Sequence, residues 1–262
     1  MQKRPHIVLI HGAWQGSWAF DVWRPFLENA GWHVHTVDLP GNGINGTIQE
    51  RQHQANLAGY TAHVVQILES LDAPAVVVGH SGGGITASQV AEAAPERVRA
   101  LVYLAGMMLP TGTGLENIIK DCFAQDPLFT YTGVLPSLTW NEDQTSSEVP
   151  FETAMDLFLH DCPSDIAASA AKKLTPQLNS GRDMVNTLTP SRFGQVPRIY
   201  VECSADRSIT LALQRRMQQL TPGAHRISLN CGHVPQVACP EQLTMALLAA
   251  LEDRARTPHC ID

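Results

Sequence analysis

The sequence predicts an α/β fold, in which a doubly wound, mostly parallel sheet of six strands has a helical lid inserted before the penultimate strand. Three observations predict it: short β-branched runs alternate with longer amphipathic stretches, the runs are apolar on both faces, and one long region breaks the alternation. Strands that are apolar on both faces are typical of parallel sheets covered by helices on each side. The alternation favours right-handed crossovers between them.

Six runs have the length and apolar character of strands, namely 6–11, 33–37, 75–78, 100–104, 198–202 and 225–229. Five helix candidates accompany them, at 18–30, 56–71, 83–94, 210–220 and 240–253. In the last helix, four leucines recur close to one apolar stripe: Leu243, Leu247, Leu248 and Leu251. This helix therefore has a face that can cover the sheet.

One long region between the fourth and fifth strand candidates contains no convincing strand. Helical patterns at 152–159 and 164–174 lie there between clusters of Pro, Gly and polar residues. A loop of this length without secondary structure is uncommon in a compact domain. We therefore predict a helical lid over residues 108–194 and a core domain formed by residues 1–107 and 195–262.

The composition argues for a folded protein with a small-molecule partner. Hydrophobic residues make up 44% of the chain, and the formal charge of -7 comes without a run of Lys or Arg. This pattern disfavours nucleic acid or an anionic membrane as the main partner. No segment reaches the ~20 apolar residues of a membrane span, and the N-terminus lacks the features of a signal peptide. These observations predict a cytoplasmic protein and leave a homodimer open.

The cysteines give no sign of a metal site or a disulfide framework. Six of them are scattered along the chain without a C-x-x-C pair. His160, Asp161 and Cys162 form a candidate cluster, but adjacent residues rarely point at one ion. We expect reduced thiols and no metal.

A first glycine-rich segment, Gly41-Asn42-Gly43-Ile44-Asn45-Gly46, matches the G-x-G-x-x-G pattern of dinucleotide sites. Such a site needs a helix that starts inside the glycines and an acidic residue about 20 positions further on. The sequence after Gly46 is polar without a helical stripe, and the acidic residue is missing. We interpret the segment as a surface loop and expect no nucleotide cofactor.

A second glycine-rich segment, Gly79-His80-Ser81-Gly82-Gly83, matches the G-x-S-x-G pattern of a nucleophile elbow. It ends an apolar strand and opens a helix, as the elbow requires, because its serine lies in a strained strand-to-helix turn. Glycines remove the clashes that side chains would cause there. The pattern predicts Ser81 as a nucleophile, with His80 in a structural role, whereas an idle serine in a tight turn is the alternative.

An elbow serine needs an acid and then a histidine further along the chain. Asp206 follows the fifth strand candidate, and His233 lies in a glycine-marked loop before the last helix. Both positions lie beyond the carboxyl ends of strands, where α/β sheets hold ligands. An oxyanion hole would use the N–H of Gly82 and an N–H in the loop after the first strand, for which Ala13 is the candidate.

Five separated motifs, taken together, resemble one branch of the α/β hydrolases. They are His11-Gly12-Ala13-Trp14, the G-H-S-x-G-G elbow, Arg192-Phe193-Gly194, the run from Tyr200 to Ile209, and Gly232-His233. The branch contains plant methylesterases, bacterial EstC-like and pyrethroid-hydrolysing esterases, and hydroxynitrile lyases. The resemblance implies hydrolysis of a carboxylic ester through an acyl-enzyme, without a cofactor, by Ser81, His233 as base and Asp206 as orienting acid.

Three positions depart from patterns in this branch. The similar lyases have a threonine where this chain has Gly12 and a lysine where it has Val234, so the resemblance favours an esterase over a hydroxynitrile lyase. The branch commonly has a larger side chain at Gly82, which implies a roomier pocket here. A non-catalytic receptor for a small ligand is an alternative function, because one fold can serve both enzymes and binding proteins. The chain keeps all three residues of the triad, which disfavours this alternative.

The lid and the two catalytic loops supply candidates for the substrate pocket. Gly12, Trp14 and Val234 lie next to the predicted site in the sequence. In the lid, apolar side chains are expected to line a pocket for a small to medium, partly hydrophobic ester, and ordinary packing is the alternative for each of them: Phe123, Phe129, Leu135, Trp140, Phe151 and Phe158.

Overall fold

The computed structural model describes residues 4–45 and 52–256 of the chain. Its strands are β1 (His6–Ile10), β2 (His33–Val37), β3 (Ala75–His80), β4 (Val98–Leu104), β5 (Thr139–Trp140), β6 (Ser146–Glu148), β7 (Gln177–Leu178), β8 (Arg198–Cys203) and β9 (Ala224–Leu229). Six of them form one sheet in the order β2-β1-β3-β4-β8-β9, and every neighbouring pair is parallel. The predicted sheet is confirmed.

The helices of the structure match the predicted core helices except near the N-terminus, and they include one at Leu115–Gln125 in the lid that was not predicted. They are α1 (Arg24–Asn29), α2 (Leu57–Ser70), α3 (Gly83–Ala93), α4 (Leu115–Gln125), α5 (Phe151–Thr153), α6 (Ser164–Lys172), α7 (Leu211–Leu220), α8 (Pro235–Ala238) and α9 (Pro240–Arg256). The single helix predicted over 18–30 is instead a 3-10 turn at Ser17–Phe20 followed by α1. Pro25 explains the break, because proline fits the first turn of a helix and disrupts its interior.

Alternate residues of the central strands point to two separate apolar cores. Val8 and Ile10 of β1 pack with α2, α3 and α7 on one face of the sheet. Ile7 and Leu9 pack with α1 and α9 on the other face. Helices on both faces exclude water from the strands, which is why the strands are apolar on both sides.

The lid region contains a small antiparallel sheet that the sequence did not predict. Its three strands lie in the order β5-β6-β7, with Trp140 opposite Ser147 and Ser147 opposite Gln177. The expectation of no strand in residues 108–194 is therefore wrong. These strands are two or three residues long and mostly polar, so they carry no alternation of apolar and polar residues that a sequence pattern could reveal.

The order of the strands locates the ligand-binding edge of the sheet. The chain runs from β1 to β2 on one side and then returns to place β3 on the other side of β1. In open α/β sheets, ligands bind beyond the carboxyl ends of the strands at such a switch point. The loop after β1 begins at His11, and the loop after β3 begins at Ser81.

Backbones approach closely where β1 meets the start of α3. A Cβ atom added at Gly83 would lie 2.5 Å from the carbonyl oxygen of His11 and 2.7 Å from that of Ile10. A Cβ atom at Gly79 would lie 2.6 Å from the carbonyl oxygen of Gly83. Carbon atoms do not approach backbone atoms this closely, so the fold requires glycine at both positions.

The structure also describes five of the six cysteines, most of the first glycine-rich segment and the helices that were considered as membrane spans. The free thiols among the described residues are Cys122, Cys162, Cys203, Cys231 and Cys239, and Cys260 lies outside the described residues. Gly43–Asn45 forms a 3-10 turn, and Gly46 lies outside the described residues as well. Within residues 4–45 and 52–256, no helix has the length and apolar character needed to cross a membrane.

Candidate active site

Ser81 lies in a strained turn between β3 and α3. Its φ angle is 51°, in the left-handed region that residues other than glycine rarely adopt. Backbone hydrogen bonds hold the turn: the N–H of Ser81 donates to Leu104 O at 3.2 Å, and Ser81 O accepts from the N–H of Met107 at 2.8 Å. This conformation at the start of a helix is the geometry of a nucleophile elbow.

Asp206 and His233 form a buried hydrogen-bonded pair. Asp206 Oδ2 lies 2.8 Å from His233 Nδ1. The other carboxylate oxygen, Oδ1, accepts from the N–H groups of Ser208 at 2.8 Å and Ile209 at 2.9 Å, which fixes the orientation of the carboxylate. Because a carboxylate only accepts, a neutral His233 carries its proton on Nδ1 and keeps a lone pair on Nε2. The tautomer with a free Nε2 is the one that a general base needs.

His80 joins the elbow to the loop that carries His233. Its Nε2 donates to the backbone oxygen of His233 at 2.9 Å, and the two imidazole rings lie 5.0 Å apart. Burial, together with the neighbouring His233, lowers the pKa of His80 to about 3. The ring is therefore neutral near pH 7 and joins the backbone of His233 to the residue that precedes Ser81.

Ala13 and Gly82 lie side by side at the start of α3. A Cβ atom added at Gly82 would lie 3.6 Å from the backbone nitrogen of Ala13, which is an ordinary contact. Gly82 is the N-cap residue of α3, with φ near -57°, and the first N–H groups of a helix have no partner within the helix. The backbone nitrogen of Ala13 therefore lies next to Gly82.

The site opens into a cavity of about 310 Å³ under the lid. Ser81, Gly82 and Ala13 line one end of it. Apolar lid side chains line another part, among them Tyr131, Val134, Leu135, Met184 and Val185. A cavity of this size and character accepts a small to medium, mostly apolar molecule.

Comparison with known proteins identifies the family. A model of the alpha/beta hydrolase family matches residues 7–246. The chain belongs to the α/β-hydrolase family. This α/β hydrolase is 28% identical over 249 residues to a pyrethroid hydrolase of Sphingobium wenxiniae, with 92% of the chain and 85% of the relative covered. It is 26% identical over 262 residues to methylesterase 9 of Arabidopsis thaliana, with 93% and 96% covered.

Solved structures agree with the sequence comparison. The crystal structure of a pyrethroid hydrolase from Sphingobium faniae JZ-2 matches this α/β hydrolase with a TM-score of 0.80 at 25% identity. The match covers 97% of this chain and 99% of the other. The predicted fold and the predicted family are both confirmed.

The structure brings some of the predicted pocket residues to the cavity. Gly12, Trp14 and Leu135 line it. Phe158 and Val234 are buried beside His233 instead, where the Phe158 ring lies 5.2 Å from the imidazole and both side chains border a separate space of about 20 Å³. These two side chains support the histidine loop of the α/β hydrolase.

The other aromatic candidates of the lid do not line the cavity. Phe123 and Trp140 are 48% and 44% exposed, and Phe151 is also exposed. Phe129 is buried in the core below α4, with its ring edge-on to Phe123 at 4.9 Å. The pocket prediction is wrong for these four residues, because residue type alone does not give the direction of a side chain in short or amphipathic segments.

Sequence reasoning missed a polar wall of the cavity. Asn42, Tyr60 and Gln177 line it and are hydrogen-bonded to one another. Asn42 belongs to the segment interpreted as a surface loop, and that interpretation is wrong at Asn42, which is fully buried. The lid covers this loop, so its burial depends on contacts with residues more than 100 positions away. Sequence periodicity has no signal for such contacts.

Among residues 4–45 and 52–256, no group of three or more His, Cys, Asp or Glu side chains could hold a metal ion. Asp161, part of the cluster considered in the sequence, accepts a hydrogen bond from the N–H of Gly232 at 2.5 Å. A Cβ atom at Gly232 would collide with this carboxylate. Asp161 therefore contacts the backbone next to His233.

Lowering the pH below about 6.5 should destabilise the fold, because His11 and His80 are buried and neutral. Burial lowers the pKa of both, that of His80 to about 3. His11 Nε2 accepts from the N–H of Leu39 at 3.2 Å. A second proton on the imidazole would lie on Nε2, so that two N–H donors would face each other. The unfolded chain binds these protons near pH 6.5. The contribution of these histidines to the free energy of unfolding is therefore fully present above pH 6.5. As the pH decreases below 6.5, the free energy of unfolding decreases by up to ~1.4 kcal/mol per pH unit for each histidine.

Urea unfolding at pH 7.5 and pH 5.5 measures this loss of stability. The His80→Gln variant removes one of these two histidines and should lose less stability between the two pH values. His225→Gln changes an exposed histidine of β9 and should keep the wild-type loss. An equal pH dependence in all three proteins would contradict the prediction.

Proposed function

We propose that this α/β hydrolase cleaves a carboxylic ester, with Ser81 as nucleophile, His233 as general base and Asp206 as the residue that orients His233. The buried 2.8 Å hydrogen bond between Asp206 and His233, beside an elbow serine at φ 51°, supports the proposal most directly. The arrangement has the residue types and the chain order of a serine hydrolase triad. The names of the relatives, a pyrethroid hydrolase and a methylesterase, agree with it.

The first half of the reaction transfers the acyl group to the enzyme. Nε2 of His233 takes the proton of the Ser81 hydroxyl as Oγ attacks the ester carbonyl carbon. The carbonyl oxygen becomes an oxyanion, which accepts hydrogen bonds from the N–H groups of Ala13 and Gly82. Collapse of this intermediate breaks the ester bond, and His233 returns the proton to the departing alcohol. The acyl group remains on Ser81.

The second half of the reaction releases the acid. His233 removes a proton from water, which attacks the acyl carbon and forms a second oxyanion in the same place. When that intermediate collapses, the carboxylic acid leaves and Ser81 recovers its proton. Asp206 remains ionised throughout and stabilises the charged form of His233. No step needs a cofactor.

The cavity supports an ester whose larger group is small to medium and mostly apolar. Its volume of about 310 Å³ and its apolar lid side chains suit such a group. Hydroxynitrile lyase chemistry is disfavoured at the same place. A Cβ atom at Gly12 would lie 2.9 Å from Ser81 Cβ, so this elbow has no room for the hydroxyl side chain of the similar lyases, and Val234 replaces their lysine.

Covalent labelling tests the proposed nucleophile. A fluorophosphonate should modify wild-type protein at Ser81, as mass spectrometry of the peptides would detect, and p-nitrophenyl butyrate should be hydrolysed. Ser81→Ala should lose the label and the hydrolysis together, whereas Ser204→Ala, at an exposed serine after β8, should keep both. Label on another residue, or hydrolysis that survives in Ser81→Ala, would refute the proposal.

A further inference from the structure

Trp14, the residue after the proposed oxyanion donor Ala13, is held in a strained conformation by the lid. Its φ angle is 62°, and it is only 5% exposed. Its backbone N–H donates to Gln177 Oε1 at 3.2 Å, and its carbonyl oxygen accepts from the N–H of Thr175 at 2.9 Å. Its indole N–H donates to Ser147 O at 3.1 Å. All these partners belong to the lid.

A left-handed conformation at a residue with a bulky side chain persists only where the surroundings impose it. The hydrogen bonds from the lid meet Trp14 at its N–H, at its carbonyl oxygen and at its ring. They therefore determine the direction in which the chain leaves Ala13. On the other side of Ala13, the N–H of Gly12 donates to Gln15 Oε1 at 3.1 Å, within the same loop. The lid supplies the contacts that this loop cannot make by itself.

Gln177 is held in turn by a closed ring of buried hydrogen bonds. Its Oε1 also accepts from Asn42 Nδ2 at 2.6 Å, and its Nε2 donates to the Tyr60 hydroxyl at 3.1 Å. The Tyr60 hydroxyl donates to Asn42 Oδ1 at 2.7 Å and completes the ring. Burial raises the pKa of Tyr60 to about 12, so the hydroxyl keeps its proton. The ring fixes the carboxamide of Gln177 with its oxygen toward Trp14.

We propose that Gln177 is a positioning residue for the oxyanion hole, which acts through the backbone of Trp14 to hold the N–H of Ala13 in place. This inference rests on the proposed ester hydrolysis. An oxyanion hole is effective only if its donors are already oriented toward the position where negative charge develops. The carboxamide of Gln177 is bonded to Trp14, Asn42 and Tyr60, so its effect on the oxyanion hole passes through Trp14.

A Gln177→Met variant removes the acceptor for Trp14 and preserves the side-chain length in an apolar form. We expect kcat for p-nitrophenyl butyrate to fall by about 10- to 100-fold, because a donor displaced by a fraction of an ångström stabilises the transition state less. KM should change little. The Tyr60→Phe variant opens the hydrogen-bonded ring without touching Trp14 and should lower kcat in the same direction by roughly 3-fold.

The thiono analogue, p-nitrophenyl thionobutyrate, distinguishes positioning from general support of the fold. Its developing negative charge lies on sulfur, which is larger and accepts hydrogen bonds weakly, so it gains little from the oxyanion hole. The ratio of kcat/KM for the oxygen ester to that for the thiono ester should therefore fall in Gln177→Met by nearly the same factor as kcat. A merely structural loss would slow both esters equally.

Asn141→Ala is the matched control for a weakened lid. Asn141 Oδ1 accepts from the N–H groups of Thr145 and Ser146 in the exposed turn between β5 and β6, away from Trp14. This variant should keep the wild-type ratio between the two esters. An unchanged ratio in both Gln177→Met and Tyr60→Phe, in an enzyme that hydrolyses the oxygen ester, would overturn the inference. Absence of hydrolysis by the wild type would instead refute the proposed function.

Discussion

Replacing Asp206 with asparagine should lower kcat for ester hydrolysis by about 10⁴-fold while the protein stays folded. Oδ1 of Asp206 accepts two backbone N–H groups, from Ser208 and Ile209. An asparagine must place its oxygen at the position of Oδ1, because an NH₂ group at that position would face the two backbone N–H donors. The NH₂ group then faces Nδ1 of His233 and selects the tautomer with the proton on Nε2. That nitrogen can no longer accept the proton of Ser81.

Steady-state kinetics with p-nitrophenyl butyrate and thermal unfolding of the same preparations measure the two halves of this prediction. Asp143→Asn is the matched control, since it makes the same chemical change at an exposed carboxylate between β5 and β6, outside the lining of the cavity. We expect it to retain activity within a few-fold of the wild type. A loss below 10-fold in Asp206→Asn would mean that the carboxylate does not orient the base.

Replacing Gly83 with alanine should destabilise the fold far more than the same change at the adjacent Gly82. The new Cβ atom at Gly83 would lie 2.5 Å and 2.7 Å from backbone oxygens of β1, which cannot rotate away as a side chain could. Overpacking of this kind costs about 3 kcal/mol, or roughly 6 to 12 °C of Tm in a domain of this size. At Gly82 the nearest atom would be 3.6 Å away, and its φ already suits a helix.

Thermal unfolding of the two alanine variants tests the comparison directly. We expect Gly82→Ala to keep the Tm close to that of the wild type, because the added Cβ would make only an ordinary contact with Ala13 and the φ angle near -57° suits alanine. Gly83→Ala should also lose activity, since displacement of α3 moves Ser81 and the N–H of Gly82. Similar Tm values for the two variants would show that β1 and α3 can move apart without a loss of stability, and would contradict the prediction.

The alternation of short apolar runs with longer amphipathic stretches was enough to predict the sheet, and the residues that follow those runs indicated its ligand-binding edge. In a parallel sheet the carboxyl ends of all strands meet at one edge. Ser81, Asp206 and His233 each follow a strand, so their positions in the sequence already placed them at that edge. The structure adds the 2.8 Å bond between Asp206 and His233, while their catalytic roles stay a prediction for the kinetic tests above.

The lid could not be predicted to the same depth, for two physical reasons. Its strands β5, β6 and β7 are too short and polar to carry a periodic pattern, and they exist because they pair with one another. Its side chains are oriented by contacts with distant parts of the chain, as Gln177 is by Asn42 and Tyr60. Residue type therefore selected Phe123 and Trp140 for the pocket, although both are exposed and neither lines it.

Gly82 has a backbone N–H that serves the proposed reaction and no side chain beside the nucleophile. Its contribution to the proposed reaction comes from the peptide group, which every amino acid except proline also possesses. Its side-chain direction leads toward Ala13, where an added Cβ would make an ordinary contact with the backbone nitrogen at 3.6 Å. Position 82 can therefore accept alanine without loss of the donor, whereas a larger side chain would pack against Ala13 and would couple the shape of the pocket beside the nucleophile to the second proposed oxyanion donor.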